Sequence, residues 1–265
     1  MAFLRRVLTL LILALPPAAW AQGEPIGIVI MHGKGGGPMF LVADLARSLE
    51  GKGYLVANLD MPWSGRRNYD VPVATGEEEV TAALEGLRQK GAKKLFIAGH
   101  SQGGAFALHL AGRLSADGVI VIAPGGDVST PFFSSKVGAS LARARALVAE
   151  GKGAEPAELE DFENARGNYV VRSAPTAYVT WFDPQGAMNM ERAARAVSPG
   201  VPFLWIAPTN DYPALRKAHP YFYRMLPANP RHRFAELNAD HRGAPTASVD
   251  EIVRWTRQVA GAAQP

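Results

Sequence analysis

The 265-residue sequence contains no cysteine. This absence excludes disulfides, thiol nucleophiles and cysteine-ligated zinc sites, so the fold must be stabilised by packing alone. The sequence also lacks a block of basic residues: its formal net charge is +4, and its lysines and arginines are interspersed with acidic residues. We therefore expect no nucleic-acid partner.

Long apolar runs are also scarce. One short run, Val7 to Leu15, follows Arg5 and Arg6 and precedes Ala19-Trp20-Ala21. This order of charged, apolar and A-x-A regions is typical of a secretory signal peptide, and the run is well short of the roughly 20 residues that a membrane-spanning helix needs. We predict a signal peptide over residues 1–21, no membrane anchor after its cleavage, and a periplasmic or secreted protein. Residues 22–265 suit a single domain.

Short runs rich in valine and isoleucine alternate with amphipathic segments along the chain. The runs predict strands at Ile26 to Met31, Tyr54 to Leu59, Leu95 to Ala98, Val119 to Ala123, Val201 to Ala207 and Arg233 to Leu237. The amphipathic segments predict helices at Met39 to Glu50, Glu77 to Lys90, Gln102 to Leu114 and Thr246 to Val259. This alternation predicts an α/β fold with a mostly parallel, doubly wound sheet.

Residues 125–199 depart from this pattern. Leu141 to Val148 is helical in character, Glu155 to Glu163 is an acidic run, and Tyr178 to Phe182 is rich in aromatic residues. The segment is too long for an ordinary connection, and we expect it to form a helical lid over an active site. The acidic run favours a solvated helix face over a cation site. The aromatic residues favour core packing, with substrate contact as a second role.

A G-x-S-x-G pentapeptide, Gly99-His100-Ser101-Gln102-Gly103, lies where a predicted strand ends and a predicted helix begins. This context is the one that a nucleophile elbow needs, because the serine must sit on a tight turn that presents its hydroxyl above the sheet. The sequence therefore predicts Ser101 as a catalytic nucleophile.

A serine hydroxyl is a weak nucleophile at neutral pH, so it needs a histidine base and a carboxylate that orients the histidine. Of six histidines, only His241 follows the last predicted strand in a short turn, at the sheet edge where the elbow also lies. We predict His241 as the base.

Asp211 follows the predicted strand that ends at Ala207 and completes the chain order Ser, Asp, His, so we predict it as the orienting acid. Asp127, which follows the preceding strand, stays open as an alternative. Asp183 is better suited to capping a turn, and Asp240 is adjacent to the histidine, which makes the required geometry awkward.

The first predicted strand ends in a glycine-rich loop, His32-Gly33-Lys34-Gly35-Gly36-Gly37. Such a loop can hold a phosphate or stabilise an oxyanion through backbone N–H groups. The loop lacks the spacing of a phosphate-binding or dinucleotide-binding motif, so we favour an oxyanion hole. Its donors would be the N–H groups of Lys34 and Gln102, with Gly33 beside the substrate. We expect the Lys34 side chain to point into water, and we expect no cofactor and no metal.

Together the oxyanion loop, the elbow, Asp211 and His241 resemble the α/β-hydrolase superfamily over nearly all of the mature chain. The resemblance implies a sheet of about eight strands with a lid inserted after the sixth, and a triad with oxyanion donors at Lys34 and Gln102. Six strands are predicted here, so the first two would be missing or very short. The nearest likeness is to small exported esterase-like hydrolases of bacteria.

The expected activity is that of a serine hydrolase that forms an acyl-enzyme on Ser101, with a small-molecule carboxylic ester as the favoured substrate. Peptidases, thioesterases and amidases share the triad, so these substrates stay open. An alternative from another class is a binding protein that uses the fold without turnover. The sequence does not fix the oligomeric state.

Overall fold

The computed structural model describes residues 24–261. Its main sheet has six strands in the order β2-β1-β3-β4-β7-β8, and every pair is parallel. These strands are β1 (Ile26–Met31), β2 (Leu55–Leu59), β3 (Lys94–His100), β4 (Gly118–Ile122), β7 (Phe203–Asn210) and β8 (Arg233–Asp240). Two further strands, β5 (Ala157–Glu163) and β6 (Gly167–Ser173), pair antiparallel in a separate sheet.

Nine helices occur within residues 24–261. They are α1 (Ala43–Gly51), α2 (Val73–Gln89), α3 (Gln102–Leu110), α4 (Pro131–Ala149), α5 (Pro175–Phe182), α6 (Met190–Arg195), α7 (Pro213–Tyr223), α8 (Ala244–Ala247) and α9 (Val249–Val259). The parallel sheet with helices on both faces confirms the predicted fold class.

Successive side chains of each strand point to opposite faces of the sheet, so the apolar ones form two cores, one on each face. In β1, Ile28 and Ile30 pack with Leu45 of α1 and Trp255 of α9. The intervening Val29 belongs to the opposite core, which includes residues of α2 and α3. Because neighbouring strands are parallel, the carboxyl ends of β1, β3, β7 and β8 meet at one edge, where chemistry is expected in such folds.

The sequence predicted all six strands of the main sheet to within three residues at each end. Helix α7 was missed, because the Pro-rich segment before His219, which includes Pro213, looked irregular. Pro213 occupies the first turn, where a missing N–H costs nothing, and Pro220 lies near the end of the helix. The predicted helix from residue 246 to 259 is two helices, α8 and α9.

The segment from 125 to 199, which we call the insertion, contains three helices and the β5–β6 hairpin. The prediction of a solvated helix face for the acidic run is wrong: most of the run forms β5. Its burial alternates with the two-residue period of a strand, with Leu159 and Asp161 buried and Glu158 exposed. The insertion is therefore not wholly helical.

The predicted signal peptide, residues 1–21, lies outside the described residues, so its cleavage and the export of the protein stay predictions. Between residues 24 and 261, no helix is long and apolar enough to cross a membrane.

Candidate active site

Ser101 lies on a strained turn between β3 and α3. Its φ of 54° and ψ of −117° fall in a region that residues with a side chain rarely adopt. Two backbone hydrogen bonds hold the turn against β4 and the segment after it: Ser101 N–H donates to Ile122 O at 2.9 Å, and Gly125 N–H donates to Ser101 O at 3.1 Å. The strain is therefore supported by the sheet, and it places the hydroxyl at the carboxyl edge.

The structure brings Ser101, His241 and Asp211 together in one line. His241 Nε2 is 3.0 Å from Ser101 Oγ, and His241 Nδ1 is 2.8 Å from Asp211 Oδ1. Because a carboxylate only accepts, Nδ1 carries the proton and Nε2 is free to accept from the serine hydroxyl. This is the tautomer that a general base needs.

Two further donors hold the Asp211 carboxylate, whose side chain is fully buried. The N–H of Tyr212 donates to Oδ1 at 2.7 Å, and Nε2 of His219 donates to Oδ2 at 3.1 Å. Burial alone would raise the pKa of Asp211, but the hydrogen bonds from His219 and His241 hold that pKa well below its usual value. The carboxylate therefore stays charged beside the histidine.

The other three aspartates considered from the sequence hold local turns. Asp127 Oδ1 accepts from the N–H and the hydroxyl of Ser129 at 3.0 and 2.7 Å. Asp183 Oδ1 accepts from Gln185 N–H at 3.0 Å, and Asp240 Oδ1 accepts from Gly243 N–H at 2.7 Å. None of the three is hydrogen-bonded to His241 in the described part of the chain.

His100, which directly precedes Ser101, holds the backbone of His241. Its Nε2 donates to the His241 carbonyl oxygen at 2.8 Å, and its Nδ1 is buried with no partner among the described residues. Burial lowers the pKa of His100 to about 3 from an ordinary value of 6.5. His100 is thus neutral at physiological pH and fixes the turn that carries His241.

This buried histidine leads to a prediction about acid stability. In the unfolded chain His100 binds a proton below pH 6.5, whereas in the folded protein it does so only below about pH 3, so stability is lost as pH falls through that window. The expected loss due to His100 is about 2 kcal/mol between pH 8 and pH 5. Urea unfolding gives the free energy of unfolding at pH 8 and at pH 5. The decrease between the two pH values should be smaller by this amount in His100→Asn than in the wild type. Equal differences in the two proteins would contradict the prediction.

A second buried histidine orients the glycine-rich loop. His32 Nδ1 donates to Gly33 O at 2.7 Å, while His32 Nε2 accepts from Met61 N–H at 3.0 Å. Gly36 N–H also donates to Gly33 O, at 3.2 Å. Because the carbonyl and N–H of a trans peptide point in opposite directions, these bonds turn the Lys34 N–H away from His32.

The N–H groups of Lys34 and Gln102 donate to no other residue that the structure describes. Both residues line the same cavity as Ser101 and His241. Gln102 is the first residue of α3, where N–H groups are free to meet negative charge. The two N–H groups are therefore available to a ligand oxygen beside Ser101.

The Lys34 side chain does not point into water, contrary to our expectation. It is 8% exposed, and its Nζ donates to Asp161 Oδ1 at 2.6 Å and to Phe162 O at 3.1 Å. Sequence reasoning missed this pairing because Asp161 is 127 positions away and lies in a run that looks solvated.

Beside Ser101 lies a cavity of about 580 Å³. Its size falls in the range of small-molecule sites. Aromatic and aliphatic side chains from α4, β5 and α7 line it, among them Phe132, Phe133, Phe162, Leu215 and Phe222. The insertion thus supplies one wall of the cavity. Among residues 24–261, no group of histidine and acidic side chains is arranged to hold a metal ion.

Comparison with known proteins identifies the family. The model of the Alpha/beta hydrolase family matches residues 28–255. The chain belongs to this family. No protein with a curated description matches the sequence of this α/β-hydrolase.

Solved structures of similar fold include a lipase and a carboxyl esterase. The α/β-hydrolase is similar to a monoacylglycerol lipase from Paleococcus ferrophilus, with 20% identity, a TM-score of 0.62, and coverage of 89% of this chain and 96% of that one. A thermostable carboxyl esterase from Bacillus coagulans, in complex with glycerol, has 15% identity, a TM-score of 0.62 and coverage of 91% and 92%. Est1E from Butyrivibrio proteoclasticus, with bound ferulic acid, has 16% identity, a TM-score of 0.59 and coverage of 90% and 92%.

Proposed function

We propose that this α/β-hydrolase is a serine hydrolase that cleaves carboxylic esters through an acyl-enzyme on Ser101. The observation that carries the proposal is the continuous line of hydrogen bonds from Ser101 Oγ through His241 to Asp211, at the wall of an apolar cavity. The lipase and esterases among the proteins of similar fold support an ester substrate.

Each step follows from the atoms in place. His241 Nε2 takes the hydroxyl proton while Ser101 Oγ attacks the ester carbonyl carbon, and Asp211 stabilises the imidazolium that forms. The carbonyl oxygen becomes negative and accepts from the N–H groups of Lys34 and Gln102. When the carbon–oxygen bond to the alcohol breaks, His241 gives its proton to the departing oxygen. Water then attacks the acyl carbon while His241 Nε2 takes a proton from it. The bond to Ser101 Oγ breaks, that oxygen receives the proton from His241, and the acid is released.

The lining of the cavity favours a substrate with an apolar acyl or aromatic part. Phe132, Phe133 and Phe162 come from the insertion, and Leu215 and Phe222 come from α7. Removing such a group from water contributes about 25 cal/mol for each Å² buried. We propose that the insertion acts as the lid of this site.

Labelling with a fluorophosphonate probe tests the proposal without knowledge of the substrate, because the probe reacts with an activated serine. Intact mass should show one adduct on the wild type and none on Ser101→Ala. An ester panel of increasing acyl length then defines the preferred substrate. Absence of an adduct on folded wild-type protein would contradict the proposal and favour a binding protein.

A further inference from the structure

The insertion carries a buried carboxylate that is bonded to the oxyanion loop. The Asp161 side chain is fully buried, and Lys34 is its ion-pair partner at 2.6 Å. The same ammonium lies 4.8 Å from the ring centroid of Phe133, above its face. Taking two charges out of water is unfavourable unless further hydrogen bonds stabilise them, so a buried pair of this kind needs other partners around it.

Asp161 accepts from four donors. Lys34 Nζ and the N–H of Phe162 reach Oδ1, the latter at 2.7 Å. The hydroxyls of Tyr69 and Tyr169 reach Oδ2 at 2.7 and 2.8 Å. Four donors use the acceptor positions of a carboxylate, which fixes its orientation and that of the lysine.

One of the two tyrosines continues to the residue after the nucleophile. Gln102 Nε2 donates to the Tyr69 hydroxyl oxygen at 3.3 Å, while the hydroxyl donates to Asp161. Burial, and then the charge of Asp161, raises the pKa of Tyr69 well above its usual value, so the hydroxyl stays a donor. The Tyr169 hydroxyl has Asp161 as its partner and no bond to Gln102 among the described residues.

The side chains of Lys34 and Gln102 are therefore both linked to one carboxylate, Lys34 directly and Gln102 through Tyr69. Both residues line the cavity beside Ser101, and their backbone N–H groups have no partner among the described residues. We propose that Asp161 is a positioning residue for the oxyanion hole: it holds Lys34 directly and Gln102 through Tyr69, so that both N–H groups aim at one point beside Ser101. The inference rests on the proposed function and deepens it. The insertion then has two roles: it lines one side of the cavity, and it aligns the N–H groups of Lys34 and Gln102 that stabilise the transition state.

Alignment of donors acts on the transition state and much less on substrate binding. Removing one oxyanion donor in a serine hydrolase costs about 10²–10³ in kcat, so loosening both donors should cost roughly 10²-fold. Asp161→Asn should lower kcat for p-nitrophenyl butyrate by that factor with KM changed by less than about threefold, because the lost interaction is made only in the transition state.

Two tyrosine variants separate positioning from packing. Tyr69→Phe and Tyr169→Phe each remove one hydroxyl from the same Asp161 oxygen, but only the first breaks the connection to Gln102. We expect kcat to fall about tenfold in Tyr69→Phe and at most about twofold in Tyr169→Phe, with similar melting temperatures. Equal losses in both variants would overturn the path through Tyr69.

Asp161→Asn leaves a buried ammonium without its partner and could fail to fold. The double variant Asp161→Asn with Lys34→Met removes both charges and should fold, with kcat as low as in the single variant. A folded single or double variant with wild-type kcat would overturn the proposal. Wild-type activity that Ser101→Ala abolishes is the reference for these comparisons. A wild type without esterase activity would instead overturn the proposed function, and the positioning role with it.

Discussion

Asp211→Asn is expected to lower kcat for ester hydrolysis by about 10⁴-fold while the fold is retained. Asp211 accepts from three N–H groups, those of His241, Tyr212 and His219. An asparagine has one acceptor oxygen and an NH2 group, so at least one of these N–H groups would meet a donor. A His241 that moves its proton from Nδ1 to Nε2 can no longer accept from Ser101.

Asp127→Asn is the matched control, since Asp127 is the alternative acid that the sequence left open. Its hydrogen bonds to Ser129 use Oδ1, which an asparagine keeps. We expect kcat of this variant within about threefold of the wild type, because its bonds are retained. Steady-state kinetics of both variants, with circular dichroism to verify folding, make the comparison. A larger loss in Asp127→Asn than in Asp211→Asn would reverse the assignment.

The parts of the site that the sequence predicted are those that follow strand ends. Ser101, Asp211 and His241 each come directly after a strand of the parallel sheet, and parallel strands bring their carboxyl ends to one edge. Local pattern was therefore enough to place three residues, up to 140 positions apart, in one line.

What the sequence did not predict depends on contacts between distant segments. His219 contacts Asp211 because α7 turns it inward, and α7 was missed for its prolines. Asp161 looked solvated because its neighbours in the run are acidic, and only the pairing of β5 with β6 and the approach of Lys34 account for its burial. The burial of a charged side chain cannot be read from its neighbours in the sequence, because it depends on a partner that lies far away along the chain.

The glycine-rich loop, residues 32–37, was predicted only in part from the sequence. The glycines around Lys34 indicated a backbone that approaches a ligand, and the structure leaves that N–H without a protein partner among the described residues. The direction of the N–H, however, depends on His32, whose ring bonds the Gly33 carbonyl, and on Met61, which fixes the tautomer of that ring. Residue types alone could not reveal this support.

Gly99→Ala is expected to lower the free energy of unfolding by at least about 3 kcal/mol and to remove most of the activity. A Cβ at this position would lie 2.0 Å from the Gly103 carbonyl oxygen and 2.2 Å from its carbonyl carbon. These are backbone atoms at the start of α3, so the clash can be relieved only by moving the helix away from β3. Ser101 and Gln102 lie between the two glycines and would move as well.

Gly86→Ala is the matched control for the same change in side chain. Gly86 lies inside α2, and a Cβ there would meet no atom within 4 Å. Because alanine favours a helix over glycine, this variant should gain up to about 1 kcal/mol. The two substitutions should therefore change stability in opposite directions, and only Gly99→Ala should lose activity. Urea unfolding measures the first effect and ester hydrolysis the second. Equal stability of the two variants would show that the close approach of the strand to the helix does not constrain the elbow.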